Sequence, residues 1–209
     1  MKLYEMTLAP NPRRVRIFLA EKGVEIEKKQ IDIMSGENLS EEYLKVSPRG
    51  VVPVLELDDG TTIDETVAIC RYFEELHPKN ALMGTDAKSK ALIESRQRQI
   101  EFDGLLPLAD IVRNSIPEFS TRAIAGAEGV DAIAELISRG VASYIRFMGR
   151  LNNMLADNEY VAGDSFSIAD ITGMCVVDFA KMAKISIPTE HTNTLRWYNL
   201  VSSRPSASA

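Results

Sequence analysis

The sequence predicts a protein in two parts, a small α/β domain of element order βαβαββα followed by an all-helical domain. Over the first 79 residues, short runs with the two-residue apolar period of strands alternate with runs that have the three- and four-residue spacing of helices. Residues 80–86 form a linker. Residues 87–209 have helical spacing on both sides of a loop or helix break at residues 115–129, which is typical of a helical bundle.

The strands of the first domain, residues 1–79, are predicted from apolar patterning. Residues 24–31 alternate apolar and charged side chains, the pattern of a strand with one buried face. The dipeptide Asp59-Gly60 is typical of a tight hairpin turn. In chain order, the four predicted strands are residues 2–6, 24–31, 51–57 and 61–63.

The helices of the first domain are predicted from their spacing and from residues that begin or end helices. Residues 13–22 have an apolar stripe, and Gly23 is a C-terminal stop. A polar stretch contains a helical turn from Ser40. Asp64 is expected to cap the last helix, which ends at His77.

The second domain is predicted as four helices. The clearest has apolar residues in successive steps of three or four, and residues 168–182 are apolar on almost every side, which indicates a central buried helix. Ser167 and Asp170 form a capping box at its start, with Phe166 available for a staple contact. The predicted helices are residues 87–114, kinked near Gly104 and Pro107, then 133–155, 168–182 and 194–203.

Net charge, the spacing of Cys and His, and the length of apolar runs argue against several classes of function. The formal net charge of -6 disfavours nucleic-acid binding, which needs basic surface to neutralise phosphates. Cys70 and Cys175 lack the spacing of a zinc site or a disulfide framework, and His77 and His191 have no ligand cluster around them, so we expect no metal. No apolar run approaches the ~20 residues of a membrane helix, and the first residues lack the apolar stretch of a secretory signal. We expect a cytoplasmic protein without a membrane partner.

Three segments of the first domain have the features of one binding site, and the first is Val51-Val52-Pro53. A proline in an apolar strand belongs at an edge or a bulge. With a cis peptide bond before Pro53, the N–H and C=O of Val52 would be free to pair with an extended peptide ligand. An ordinary edge-strand proline is the alternative interpretation.

The second segment is Asp64-Glu65-Thr66 at a helix start. Unpaired N–H groups and the positive end of the helix dipole favour a carboxylate there, to which the Thr66 hydroxyl adds a bond. The Glu65 carboxylate suits an ammonium group, so the segment would bind the α-carboxylate and α-amine of an amino acid. Plain capping with acids in the first turn is the alternative.

The third segment runs from Ala9 to Arg14. Arginines in the first turn of a helix oppose its dipole, and a local rule broken at a loop–helix junction often marks a functional site. Arg13 and Arg14 would attract an anionic ligand or a thiolate. Alternatively, these arginines and Arg16 pair with surface acids.

Together these residues resemble the glutathione S-transferase family. The resemblance covers nearly the whole chain and is carried by PNPRRVRIFLAEKG, SPRGVVPVLELDDGTTIDETVAICRYFEE and FSIADITGMCVV. It implies a thioredoxin-like first domain, an all-helical second domain and glutathione as cosubstrate. Val52 resembles the residue whose backbone pairs with the cysteinyl part of glutathione, with Pro53 as its cis-proline. Glu65 and Thr66 resemble the pair on the γ-glutamyl end, and Asn38 the polar residue on the glycyl carboxylate.

The residue that activates the thiol departs from the family pattern. Ala9 occupies the usual Ser or Cys position, and Tyr4 lies inside a strand. Asn11 is our first candidate, with Thr7 and the backbone N–H groups before the helix as alternatives. An amide that donates a hydrogen bond to the thiolate lowers the pKa of the thiol. With no cysteine in this loop, the reactive thiol is expected to belong to the ligand.

The resemblance implies attack of the glutathione thiolate on a small hydrophobic electrophile, and it implies a homodimer. The expected pocket residues are Leu8, Phe102, Val112 and Phe119. Two alternatives are a non-catalytic binding module and a glutathione-dependent peroxidase or disulfide reductase.

Overall fold

The computed structural model describes all of residues 1–209. The residues form two compact units, Met1–Lys79 with Arg113–Ile133 and Asn80–Val112 with Ala134–Ala209. The segment Arg113–Ile133 thus belongs to the same compact unit as the α/β elements, whereas the sequence analysis placed it in the helical domain. The predicted domain boundaries, 1–79, 80–86 and 87–209, stay a prediction.

The first unit contains a four-stranded sheet of order β2-β1-β3-β4. The central strand β1 (Lys2–Glu5) pairs in parallel with β2 (Glu27–Gln30) and antiparallel with β3 (Val54–Glu56), and β3 pairs antiparallel with β4 (Thr62–Asp64). All four predicted strands are present, and the first three are shorter than predicted. All four side chains of β2 are exposed. The alternation that predicted a half-buried strand over residues 24–31 lies before β2, at the half-buried Val24 and Ile26, and the buried Ile31 follows it.

Three α-helices accompany the sheet. Gly23 ends α1 (Pro10–Lys22) in the left-handed region, with φ 64°. The side chain of Ser40 accepts the first-turn N–H of Tyr43 and begins α2 (Glu41–Leu44). The prediction that Asp64 caps α3 (Thr66–Leu76) is wrong, because Asp64 is the last residue of β4 and Glu65 occupies the N-cap position.

The side chains of β1 alternate between the two faces of the sheet, as those of any strand do. Tyr4 packs in a buried cluster with Ile31, Tyr43, Val52 and Val54. Its hydroxyl donates to Glu56 at 2.6 Å, and this hydrogen bond raises the pKa of Tyr4 to about 12.

The buried carboxylate of Glu5 is the centre of a polar group, here called the Glu5 network, that also contains the buried Arg16 and the exposed Thr7 and Gln30. Glu5 pairs with the guanidinium of Arg16 and accepts from Nε2 of Gln30 at 2.5 Å. Arg16 donates to the C=O of Thr7 at 2.9 Å, and the Thr7 N–H and hydroxyl both donate to Oε1 of Gln30 at 3.0 Å. The network therefore joins the ends of β1 and β2 to α1 and holds the loop between β1 and α1.

Arg122 and Gly126 connect the segment Arg113–Ile133 to the rest of the first unit. Arg122 donates to the carbonyl oxygens of Ile33 at 3.1 Å and Met34 at 3.0 Å. Gly126 has φ +74°, and a Cβ atom there would lie 1.9 Å from the carbonyl oxygen of Arg49. Only glycine fits this approach, because any side chain would overlap the backbone before β3.

The rest of the chain is helical, in agreement with the predicted architecture. The predicted helix 87–114 is α4 and α5 joined by a π-helical turn, Glu101–Leu105, which contains Gly104. Ile133, predicted to begin the next helix, lies outside it and is 50% exposed. The helices are α4 (Ala87–Ile100), α5 (Leu106–Ser115), α6 (Ala134–Met154), α7 (Ile168–Ala180) and α8 (Thr192–Ser202).

None of these helices combines the length and the apolar character needed to span a membrane.

A fully buried carboxylate, that of Asp170, organises the start of α7. One of its oxygens accepts from the N–H of Val161 at 2.9 Å and from the indole of Trp197 at 2.8 Å. The other accepts from the N–H and the hydroxyl of Ser167, each at 3.0 Å. Burial raises the pKa of this carboxyl, and the hydrogen bonds oppose that shift. Asp170 thereby ties α7, α8 and the preceding loop together.

Phe166, the residue before this cap, packs edge-on to Tyr160 with ring centroids 5.9 Å apart, and the guanidinium of Arg204 lies 4.0 Å from its ring centre.

We expect Glu5→Gln to lower the free energy of unfolding by about 3–5 kcal/mol, because the guanidinium of Arg16 stays buried without its counter-charge. Urea unfolding followed by circular dichroism measures the change. Adding Arg16→Met should recover part of the loss, since no charge is then left unpaired. The control is Glu27→Gln, which removes an exposed pair with Lys2 and should cost less than about 1 kcal/mol. Equal losses for Glu5→Gln and Glu27→Gln would contradict this account.

We expect Asp170→Asn to destabilise the protein by roughly 2–4 kcal/mol, because the NH2 that replaces one oxygen faces two of the four donors, which then lose their acceptor. The fluorescence of Trp197, the single tryptophan, reports unfolding in urea. Asp157→Asn, at an exposed position, is the matched control and should leave the midpoint nearly unchanged. Retained stability in Asp170→Asn would show that the two displaced donors find other partners.

Candidate active site

Three predicted site segments come together where the chain enters and leaves the sheet. Because Val54 pairs with Asp64, the residues just before Val54 and just after Asp64 leave the β3–β4 ladder side by side. The first turn of α1 joins them through a long contact of 3.4 Å from the Thr66 hydroxyl to the C=O of Asn11. Val52-Pro53, Glu65-Thr66 and Asn11 are therefore neighbours.

The peptide bond between Val52 and Pro53 is cis. The residue before it, Val51, is clamped, since its C=O accepts from the hydroxyls of Tyr43 at 2.8 Å and Ser47 at 3.1 Å, and its N–H donates to Ser47. The N–H and C=O of Val52 have no hydrogen-bond partner within the protein. A fixed stretch of backbone thus presents one unpaired donor and one unpaired acceptor, the requirement for pairing with an extended peptide.

The start of α3 has the properties of an anion site. No side chain caps its first-turn N–H groups, and Glu65 has φ 68° and ψ 121°. A positive φ is rare for a residue with a side chain and costs about 1–3 kcal/mol, and such residues are concentrated at functional sites. The uncapped N–H groups and the helix dipole favour a carboxylate beside the buried Thr66.

Arg49 lies beside this helix start, which the sequence analysis missed. Its Nη1 donates to Glu65 at 2.6 Å and to Asp64 at 3.0 Å. The two carboxylates raise the pKa of Arg49, with Glu65 making the larger contribution. This contact crosses from the loop before β3 to the end of β4, so no local pattern in the sequence indicates it.

The first turn of α1 offers hydrogen-bond donors at a single residue. Pro10 and Pro12 have no N–H group, and the N–H of Arg13 donates to the C=O of Ala9. Asn11 alone keeps an unpaired backbone N–H. Its side-chain oxygen accepts from Nη1 of Arg14 at 3.0 Å, which leaves the amide NH2 without a partner. An arginine three residues along a helix is within reach of such a contact, so spacing could have predicted it.

The hydroxyl groups of Thr7 and Tyr4 already donate hydrogen bonds within the protein. The hydroxyl proton of Thr7 is donated to Gln30, and that of Tyr4 to Glu56. Arg16, expected either at the ligand or paired with surface acids, is paired with Glu5 in the interior.

Asn38 is buried, and its amide NH2 donates to the C=O of Gly50 at 2.8 Å. The atom it leaves unpaired is its carbonyl oxygen, an acceptor. An amide NH2 group has two N–H donors, and Gly50 uses one of them. Binding of the glycyl carboxylate by Asn38 would use the other and stays a prediction. Asn38 also holds the backbone just before Val51.

The four residues expected around an apolar cosubstrate differ in exposure. Leu8 is 78% exposed and lines a shallow open depression with Thr7 and Gln30, and Phe102 is 59% exposed. Val112 and Phe119 are buried. The guanidinium groups of Arg113 and Arg122 lie 4.6 and 5.8 Å from the Phe119 ring centre, so this ring is covered and offers no open apolar surface.

Both cysteines, Cys70 and Cys175, are buried thiols, outside the three segments. No group of three or more His, Cys, Asp or Glu side chains is arranged to hold a metal ion. The arrangement of the three segments can bind a small zwitterionic peptide through its backbone and its charged end, and can donate hydrogen bonds to an anion near Asn11.

Several known proteins are similar to this chain in both sequence and fold. The family models for the glutathione S-transferase N-terminal and C-terminal domains match residues 3–81 and 145–205. Glutathione S-transferase 2 of Saccharomyces cerevisiae is 33% identical, over 99% of this chain and 87% of that protein. The crystal structure of Gtt2 from Saccharomyces cerevisiae superimposes with a TM-score of 0.92 at 32% identity, over 100% of this chain and 99% of that chain.

A glutathione S-transferase of class Gtt2 from Vibrio parahaemolyticus is also similar, with 36% identity and a TM-score of 0.84 over 99% of this chain and 94% of that one. The four-stranded domain is therefore thioredoxin-like and is followed by a helical domain, as predicted. Both family domains match, and a relative is one-third identical over almost the whole of this chain. The chain therefore belongs to the glutathione S-transferase family.

Proposed function

We propose that this protein is a glutathione transferase that binds reduced glutathione and promotes attack of its thiolate on small hydrophobic electrophiles. The observation that carries the proposal is the unpaired N–H and C=O of Val52 beside the uncapped start of α3. A γ-glutamyl tripeptide has an amide backbone for the first feature and an amino-acid end for the second.

The γ-glutamyl end is assigned to Glu65 and Thr66. Its α-carboxylate would accept from the first-turn N–H groups of α3 and from the Thr66 hydroxyl, with support from the helix dipole. Its ammonium group would bind Glu65. Arg49 already contacts one oxygen of Glu65 at 2.6 Å, so the ammonium shares the carboxylate with it through the other oxygen.

The cysteinyl part is assigned to Val52 and Pro53, and its sulfur to the start of α1. There Asn11 would donate to the thiolate from its side-chain NH2 and its backbone N–H. Hydrogen bonds to the charged form lower the pKa of a thiol, and fixed donors stabilise the nucleophile without reorganising at the moment of reaction.

The remaining expectations come from family membership. The electrophile would be small and apolar, with the exposed Leu8 as a candidate contact in the first unit. The conjugation step forms a bond from sulfur to carbon while the leaving group departs with its electron pair. The mechanism uses glutathione as cosubstrate and requires no metal. We also propose that the protein is a cytoplasmic homodimer.

One observation favours a second candidate, a non-catalytic glutathione-binding module. Ala9, the N-cap of α1, has neither hydroxyl nor thiol at the usual activating position. Reduction of hydroperoxides or disulfides by bound glutathione is a further activity that the same site would support.

The test combines binding with turnover. Titration calorimetry should detect glutathione binding at or below millimolar concentration, and Glu65→Gln and Thr66→Ala should weaken it. Asn11→Ala should retain binding and lose about 10- to 100-fold in turnover of an aryl halide, the value of one hydrogen bond to a charged group.

Asn153→Ala, at an exposed position of α6, is the matched control and should be unaffected in both assays. Absence of glutathione binding would contradict the proposal. Binding without turnover of aryl halides or hydroperoxides would support the module instead.

A further inference from the structure

We infer that Arg14 is a positioning residue, whose guanidinium fixes the Asn11 amide so that its NH2 group is left to donate to the glutathione thiolate. The inference rests on the proposed function and adds a residue that acts through another. Arg14, the fifth residue of α1, is 2% exposed. A buried charge needs polar partners, and the side chain of Asn11 one turn earlier supplies one of them.

The contact selects one of two orientations of the Asn11 side chain. An asparagine amide presents an oxygen acceptor on one side and an NH2 donor on the other, and the two are nearly equal in size. A guanidinium has donors only, so Arg14 accepts no bond and can face only the oxygen. The 3.0 Å bond from Nη1 of Arg14 to Oδ1 of Asn11 is that arrangement.

The backbone groups of Asn11 show the same division as its side chain, in which the oxygen is bonded and the N–H is available. Its C=O receives the hydroxyl of Thr66 at 3.4 Å, and the prolines on both sides leave its N–H as the one orphan donor of the turn. The oxygens of Asn11 are thus engaged, and its N–H groups are available. Without Arg14, the amide could turn its oxygen to the sulfur, and an acceptor beside a thiolate raises the pKa of the thiol.

The test is a double-mutant cycle read from the thiol pKa of bound glutathione, obtained from the ultraviolet absorbance of the thiolate against pH. We expect the wild-type pKa to lie below the ordinary thiol value of about 8.5. Asn11→Ala should lower the acid dissociation constant about tenfold, and Arg14→Met should lower it by about three- to tenfold. The double variant should show no further change beyond Asn11→Ala, because Arg14 then has nothing to orient.

Arg13→Met is the matched control, since it removes the neighbouring positive charge of the same turn. The shift in its thiol pKa should be smaller than that in Arg14→Met. Additive effects in the cycle, or an equal shift in Arg13→Met, would show that Arg14 acts by its charge alone and would overturn the inference. A fall in melting temperature with an unchanged thiol pKa would show a purely structural role, with the same consequence.

Arg14→Gln serves in the same double-mutant cycle if Arg14→Met does not fold, because a glutamine amide has an acceptor as well as donors and no longer selects the oxygen of Asn11. The shift should have the same direction and a smaller size, and no shift overturns the inference. A wild-type protein that does not bind glutathione overturns the proposed function as well. Binding with an ordinary thiol pKa overturns the inference alone.

Discussion

The buried ion pair between Glu5 and Arg16 is the interaction on which the candidate site depends. Two charges that are removed from water must stay together, because either one alone would be costly in the interior. Their pairing fixes the end of β1 against α1, and Gln30 extends it to β2 and to Thr7. The loop that leads into α1 therefore has one arrangement, and the position of Asn11 follows from it.

Departures from ordinary local structure are concentrated around the three segments. Glu65 has a positive φ, Val52 has unpaired backbone groups, and the starts of α1 and α3 lack side-chain caps. At the start of α7 the opposite holds, since the carboxylate of Asp170 accepts four hydrogen bonds. Unsatisfied groups that are held rigidly are what a ligand can complete, which is why the contrast supports a binding site in the first unit.

Apolar periodicity and turn residues predicted the element types and their order, because both depend on residues close together in the chain. They failed where a distant contact decides the outcome. The exposure of the β2 side chains follows from the place of this strand at the sheet edge. Arg49 reaches the end of β4. Only the bond from Arg14 to Asn11 follows helical spacing and was within reach of the sequence.

In the proposed function, the amide of Asn11 takes the place of an activating hydroxyl, and this changes how the site acts on a thiol. A serine or tyrosine hydroxyl both donates and accepts, so it can stabilise the neutral S–H group as well as the thiolate. In Asn11, Arg14 occupies the only side-chain acceptor, and the group left over is a donor. A group that only donates favours the anion alone, and its whole contribution therefore lowers the pKa of the thiol. In the proposed function, the site therefore does not need a hydroxyl at Ala9. An amide whose oxygen is bonded to Arg14 discriminates between thiolate and thiol more strongly than a free hydroxyl does.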